Sequence, residues 1–346
     1  MSITLDIINP LEYPSWDDLL LSNEQSSFFH TSFWAQVLVD TYHFSPRYFA
    51  LVKDNHLLIS LPIMEVRNIP IKKKAVSLPF SDYCDPIITE KISFHEVFRH
   101  ITEYGKKLGW KSLEIRGCTH FGEEIKPSCF NYGHTLSLLE EEKEIFANFR
   151  KGTKSIIKKA IREGVEVGIH NSYKSLQEFF RLNSLTRKRH GLPPQPFRFF
   201  EAIFQHVIHQ QQGLIVLATY RGENIAGAVY FHFGKTALYK YAASDVSYSN
   251  LGANTLVLWE AIRWFCNKRF ATLCFGKTEP ENEGLRQFKR GWNAEERIIN
   301  DYLYDLEKEQ FIKRNQKISG LHNHVFRRLP IWMLKIIGSA IYKYTA

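Results

Sequence analysis

Lys289 stands in the stretch FGKTEPENEGLRQFKRGW, from Phe275 to Trp292, where an apolar run ends and a turn crowded with Lys, Glu and Arg begins. A polar loop leaving a strand end is a common place for a site. Acyl transfer from an ester or thioester builds negative charge on the carbonyl oxygen. A fixed cation or N–H donor aimed at that oxygen is usually the largest catalytic contribution. Lys289 suits that role. The plainer reading makes Lys289 and Arg290 surface charges flanking a core Phe288 and Trp292. Direct attack by an acceptor amine fits the neighbouring residues: Glu279, Glu281, Glu283 or Asp245 could take up its proton, as could the substrate itself.

Covalent catalysis through a serine or cysteine is not suggested. There is no Gly-x-Ser-x-Gly, and no cysteine has surroundings that suggest a histidine partner. The cysteines at 84, 118, 129, 266 and 274 are odd in number and show no CxxC spacing, so neither disulfides nor zinc are expected. Cys266 and Cys274 lie in apolar runs and read as buried small hydrophobes, which fits a reducing compartment. The histidines show no metal spacing, and no metal is expected. A coenzyme A pyrophosphate cradle needs Gln/Arg-x-x-Gly-x-Gly/Ala before a helix. The corresponding Ser249-Asn250-Leu251-Gly252-Ala253-Asn254 keeps only the central Gly, so no cofactor is expected, with coenzyme A held open as the alternative.

A second chemistry-bearing stretch is RKGTKSIIKKAIREG. Lys154, Lys158, Lys159 and Arg162 spread around a helix expected over 145–163, with Ile156, Ile157 and Ile161 as its apolar edge. A charge run is commonly a solvated face. Its functional reading is contact with a phosphate backbone, tRNA included, where each neutralised phosphate adds affinity through counterion release. The net charge of +9 favours a polyanionic neighbour without choosing one.

These residues need elements to position them, and two segments follow one plan. RYFALVKDNHLLISLPIMEV reads as a hairpin turning at Asp54-Asn55. LIVLATYRGENIAGAVYFHFGKTALYKYAAS reads as two hairpins, turning at Gly222-Glu223 and Gly234-Lys235. Each is followed by a helix and a short apolar strand. Gly105–Trp110 lies over Phe265–Phe270, and Leu113 and Ile115 lie over Leu273 and Phe275, a domain-sized offset of about 160 residues. Antiparallel meander, helix and returning strand make an α+β plan with mixed sheets. A helix from Asn254 to Lys268 follows the turn residues Ser249, Asn250 and Gly252. The Pro-rich HGLPPQPFRFF, 190–200, is a stiff loop between two helices that could wall a cleft. The expected domains are 1–145 and 146–310, joined near the change from acidic LEEEKEIF to basic RKGTKS, with a basic amphipathic tail over 311–346.

The series YKYAASDVSYSNLGANTLVLWEAIRWF and CFGKTEPENEGLRQFKRGWNAEE resembles the C-terminal half of FemABX-type proteins. RKGTKSIIKKAIREGVEV resembles their basic helix, and FFHTSFWAQVL their first-domain segment. The resemblance implies two tandem GNAT (acyl-CoA N-acyltransferase-like) domains and transfer of an amino acid from aminoacyl-tRNA to an amine of a peptidoglycan precursor. The family's Phe-Lys pair falls on Phe288 and Lys289, with the lysine stabilising charge at the reacting ester. Substrate-binding positions fall on Arg198, Tyr241 and the Asp82-Tyr83-Asp85 turn. Where the family usually has a phosphate-binding lysine a turn after the first-domain tryptophan, Trp34 is followed by Ala35, Gln36, Val37 and Leu38. The acceptor is therefore left open between an envelope peptide and a sugar amine or polymer.

The N-terminus does not read as a signal peptide, and with no uncharged apolar stretch of about 20 residues no membrane span is expected. The tail VFRRLPIWMLKIIGSAIYKYTA reads as an interfacial helix drawn to acidic lipid, or as a helix docked on the protein's own core. The expected location is cytoplasmic, with peripheral membrane contact at the inner face. Two rival functions are an N-acyltransferase using an acyl thioester on a sugar amine, and a non-catalytic binding protein of the same pathway.

Overall fold

The computed structural model describes residues 4–68, 72–89, 92–314 and 321–345. The chain divides into two compact units, 1–132 with 298–316 and 343–346, and 133–297 with 317–342. The sequence reading places the borders at 145 and 310 instead. The strands Cys129–Ser137 and Glu295–Asp305 each carry residues of both units, so the chain changes unit inside strands. The switch from acid to base near 150 marks a change of surface composition, which need not coincide with a change of core.

In the first unit, helix Ser32–Tyr42 starts at Thr31, whose hydroxyl accepts from the Trp34 N–H, and buries Trp34, Val37 and Leu38. Strands Tyr48–Lys53 and His56–Leu61 form the expected hairpin. Its turn residues Asp54 and Asn55 both have positive φ (50° and 59°), the conformation a two-residue hairpin loop demands. A further sheet runs from Met64–Asn68 to the antiparallel Lys72–Ser77 and on to the parallel Trp110–Arg116. Helix Phe94–Leu108 precedes that last strand and buries Val97 and Ile101 in a core with Trp110, Leu113 and Phe121.

In the second unit, Gly213–Tyr220, Glu223–Phe233 and Thr236–Ser244 form the expected meander. Its first turn is Arg221-Gly222, one residue before the expected position, because Glu223 already pairs with Tyr220. Glu166–His170 adds antiparallel at one side and Thr272–Thr278 parallel at the other. Successive strand residues face opposite ways. Ala226, Ala228 and Tyr230 share a core with Leu256, Trp259 and Ile262 of helix Ala253–Asn267. Gly227, pointing the other way, lies against Phe179 of helix Tyr173–Arg189. Helices therefore cover both faces of this sheet.

The repeated plan is visible in the backbone. Helix Phe94–Leu108 leads to strand Trp110–Arg116 through Gly109 (φ 76°), and helix Ala253–Asn267 leads to strand Thr272–Thr278 through Arg269 (φ 58°). Both strands join their sheets parallel to a neighbour.

One expected helix is two. The 145–163 segment breaks into Glu142–Asn148 and Lys151–Arg162. Phe149 leaves the helix (ψ 148°) to place its ring against Trp259 and Trp292, at centroid distances of 5.6 and 5.0 Å. Burying that aromatic outweighs the hydrogen bonds of one unbroken helix. The tail forms helices Leu321–Arg328 and Ile331–Ile341, both packed against Tyr173–Arg189.

Candidate functional site

Helix Glu283–Arg290 begins at Asn282, whose side chain accepts from the Leu285 N–H. It carries Phe288 and Lys289 on adjacent positions, about 100° apart around the axis. The Lys289 ammonium turns inward, leaving the residue 3% exposed, and donates to the carbonyls of Gly276 (3.1 Å) and Lys277 (3.3 Å) at the end of strand Thr272–Thr278. Lys289 is thus a buried cation and not a surface charge. Carbonyl oxygens orient an ammonium without cancelling its net charge.

The Phe288 ring lines a cavity of about 370 Å³ with Ile156, Lys159, Arg189, Asn250 and Gly252, among others. Gly252 has φ 72° and caps the start of helix Ala253–Asn267. A Cβ there would lie 2.5 Å from Ile156 Cγ2, so both the backbone conformation and the close approach of helix Lys151–Arg162 require glycine. Lys159 donates to the Asn250 carbonyl at 2.8 Å, and the Asn254 amide donates to Ser244 Oγ at 3.0 Å. The cavity thus joins a helix N-terminus to basic side chains, a setting that favours ester or phosphate oxygens.

A buried polar cluster that the sequence did not reveal lies in the same unit. His134, on strand Cys129–Ser137, is fully buried, and its Nε2 is 2.9 Å from Glu296 Oε2. Burial, then the Lys289 charge, holds the imidazole below its ordinary range against the opposing pull of Glu296. Glu296 accepts from Arg286 Nε and Nη2 at 3.2 and 2.9 Å and from Arg290 Nη2 at 2.5 Å. The Arg286 hydrogen bonds lead in bringing its carboxyl down to about 2, against burial and with Arg290 assisting. Nδ1 of His134, Oγ1 of Thr278 and Nε1 of Trp292 are buried with no hydrogen-bond partner among the described residues. A lone histidine in an alternating strand carries no signal of such company.

The other expected site residues go to several places. Tyr241 lies in strand Thr236–Ser244 with its ring 5.5 Å from Phe200 and the Lys240 ammonium 5.4 Å from its centroid. Arg198 is exposed on the short helix Phe197–Ile203. Neither lines the Phe288 cavity. Of the four helix cations only Lys159 does; Lys154 donates to the Ala147 carbonyl at 2.9 Å across the helix break. Lys158 is exposed, and Arg162 lies 3.6 Å from Glu163.

Asp82, Tyr83 and Asp85 belong to the first unit. Asp85 accepts from the Thr119 backbone N–H (3.1 Å) and hydroxyl (2.9 Å), which makes it a tie for its loop. Tyr83 packs on Gly117, where a Cβ would come within 2.5 Å of its own. Asp82 is half-buried in the same turn.

Contrary to the sequence reading, one cysteine does have a histidine beside it: Cys84 Sγ is 3.8 Å from His30 Nε2. Burial raises the thiol well above its usual range and lowers the imidazole to about 4, so neither is ionised near neutrality. That pair is inert packing. Among the described residues no cluster of His, Cys, Asp and Glu could hold a metal ion.

The chain is similar to several known proteins. The family description "Acetyltransferase (GNAT) domain" matches residues 147–290, all within the second unit. Over 158 residues the chain is 29% identical to the UDP-N-acetylmuramoylpentapeptide-lysine N(6)-alanyltransferase of Weissella viridescens, a match covering 45% of this chain and 46% of that one. The match thus spans about half the length of this curated relative. The crystal structure of FemX superimposes with a TM-score of 0.70 at 14% identity, covering 88% of this chain and 98% of that one.

The chain shares its fold with FemX. A tandem GNAT protein from the clavulanic acid biosynthesis pathway shares the architecture at a TM-score of 0.52 and 8% identity, covering 88% of this chain and 98% of that one. The chain is an α+β protein with GNAT-type units and mixed sheets. Phe288 and Lys289 lie within the last three residues of the segment that the GNAT description matches.

Proposed function

We propose that this FemABX-like chain transfers an aminoacyl group from aminoacyl-tRNA to an amine of a cell-envelope precursor, with Lys289 as its catalytic cation. The observation that carries the reading is the buried Lys289 ammonium at a strand end, next in sequence to Phe288; Phe288 lines the cavity, and Lys289 lies behind it rather than on its wall. The likeness to an alanyltransferase that acts on a muramoylpentapeptide lysine supports the class of acceptor.

In the reaction the acceptor nitrogen attacks the ester carbonyl carbon of the donor. A C–N bond forms, the bond from that carbon to the ribose oxygen breaks, and the proton lost by the amine ends on the leaving hydroxyl. Negative charge gathers on the carbonyl oxygen in between. A buried ammonium stabilises that charge more than an exposed one does, because little water screens it.

Our reading favours an aminoacyl ester over coenzyme A as donor. The turn at Gly252 is where a pyrophosphate would rest on the helix N-terminus. Ile156 packs directly over it, and Lys159 is engaged with Asn250. The exposed cations Lys158 and Arg162 suit the phosphates of a bound tRNA.

The test is Lys289→Met assayed for transfer from charged tRNA. A loss of about 10²–10³ in kcat with donor affinity retained supports the role. Unchanged turnover would return Lys289 to a structural part. Consumption of acetyl-coenzyme A with no use of charged tRNA would favour acyl-thioester transfer.

A further inference from the structure

The C-terminal helices carry an outward face that the transferase reading does not use. From Gln310 onward the sequence contains no Asp or Glu, while Lys313, Arg314, Lys317, Arg327, Arg328, Lys335 and Lys343 all fall there. Helix Ile331–Ile341 buries Leu334 and Gly338, one turn apart. A Cβ on Gly338 would lie 2.0 Å from the Pro194 carbonyl oxygen, so this edge is pressed against the Pro-rich loop. The Tyr342 hydroxyl donates to the Pro193 carbonyl at 3.1 Å and accepts from Arg187 at 2.7 Å. The helix is therefore fixed, and its orientation is set.

That orientation turns Trp332 and Ile336, also one turn apart, to the outside, at 63% and 62% exposure. Val325 on the preceding helix is 56% exposed, and Arg327 and Arg328 are exposed beside it. Lys335 places its ammonium 5.0 Å from the Phe180 ring centroid. Two large apolar side chains held outward on a docked helix, with bases nearby and no acid in the segment, are the pattern of a surface that enters the headgroup region of an anionic bilayer. No described helix is long and apolar enough to cross a membrane.

We propose that Trp332 and Ile336, flanked by Arg327, Arg328 and Lys335, dock the second unit on a membrane surface rich in anionic phospholipid. The tryptophan and isoleucine enter the acyl boundary while Arg327 and Arg328 meet lipid phosphates. Apolar side chains distinguish this surface from an RNA-binding one, which would present bases alone or aromatic rings in a groove.

Sedimentation of the full chain with vesicles tests this, without donor or acceptor, so the result is independent of the transferase reading. Vesicles of phosphatidylglycerol with phosphatidylcholine are compared with phosphatidylcholine alone. The chain is expected to bind the former, with at least a tenfold loss for Trp332→Ala combined with Ile336→Ser. Arg327→Gln combined with Arg328→Gln is expected to lose about fivefold per charge and to flatten the salt dependence. All four side chains are exposed, so the circular dichroism and thermal midpoint of both variants should match the parent. No binding to the anionic vesicles, or binding unaffected by the Trp332/Ile336 pair, overturns the proposal. So does a parent chain that is dimeric in solution and becomes monomeric in that pair, since a second copy then covers the face.

Discussion

The Lys289 side chain ends in a place where little water reaches it, and two carbonyls fix where its nitrogen sits. Replacing it with Met leaves those carbonyls without their donor, a structural loss of about 1–3 kcal/mol. Thermal unfolding should therefore shift by several degrees, while turnover falls by a far larger factor. Comparing the two separates catalysis from packing. A second buried charge makes a purely structural prediction. Burial alone would push the Glu114 carboxyl up, but Arg116 and Arg314 outweigh it and bring it down to about 2 from an ordinary 4.5. Its contribution is complete above pH 4.5 and is lost as pH falls toward 2, because the unfolded chain takes up the proton first. Glu114→Gln should cost about 3 kcal/mol near neutrality and remove part of the acid destabilisation, read from urea unfolding at several pH values. The sequence reading singled out Phe288 and Lys289 through the polar stretch that follows an apolar run, and the structure puts both on helix Glu283–Arg290. His134, Thr278 and Glu296 were not singled out. Their company comes from strands and a helix far apart in the chain, and no local spacing records it.

At the scale of elements, the charges on helix Lys151–Arg162 show what a helical wheel omits. Lys154 reaches back to Ala147 only because the segment breaks at Phe149. That break is set by two tryptophans more than a hundred residues later. Phe149→Ala should cost about 3–5 kcal/mol and be seen as a lower urea midpoint. Lys159 faces the cavity, whereas Lys158 and Arg162 remain outside. If those two meet tRNA phosphates, replacing both with Gln lowers affinity and reduces the slope of log affinity against log salt by about one per residue. Gly252 belongs to the same junction. Gly252→Ala forces a left-handed alanine against Ile156, at a cost of about 1–2 kcal/mol for the backbone alone. Donor KM should rise more than kcat falls, since the cavity wall moves and Lys289 does not. The meander turns and the helix–strand repeat were readable because two-residue loops and left-handed connectors leave local marks, as at Asp54-Asn55 and Gly109. The break at Phe149 leaves no such mark.

For the whole molecule, composition suggested a basic protein with a polyanionic neighbour, and the fold gives that charge distinct places. The cavity cations lie beside a helix N-terminus, and the C-terminal bases lie on docked helices in a segment without acids. Length and repeat point to two domains, with borders read at 145 and 310, and the structure divides into two compact units whose borders fall elsewhere. The chain changes unit within strands Cys129–Ser137 and Glu295–Asp305, where composition is continuous. The central claim is that the Phe288-Lys289 site performs aminoacyl transfer from charged tRNA. The direct measurement follows a labelled amino acid from a pool of charged tRNAs onto amine-bearing envelope precursors, with the parent chain and with Lys289→Met, alongside an acetyl-coenzyme A control. The account predicts that label moves to the acceptor as an amide, that the variant is slower by about 10²–10³, and that acetyl-coenzyme A is untouched. Label remaining on tRNA while acetyl-coenzyme A is consumed, or a variant as fast as the parent, would contradict it.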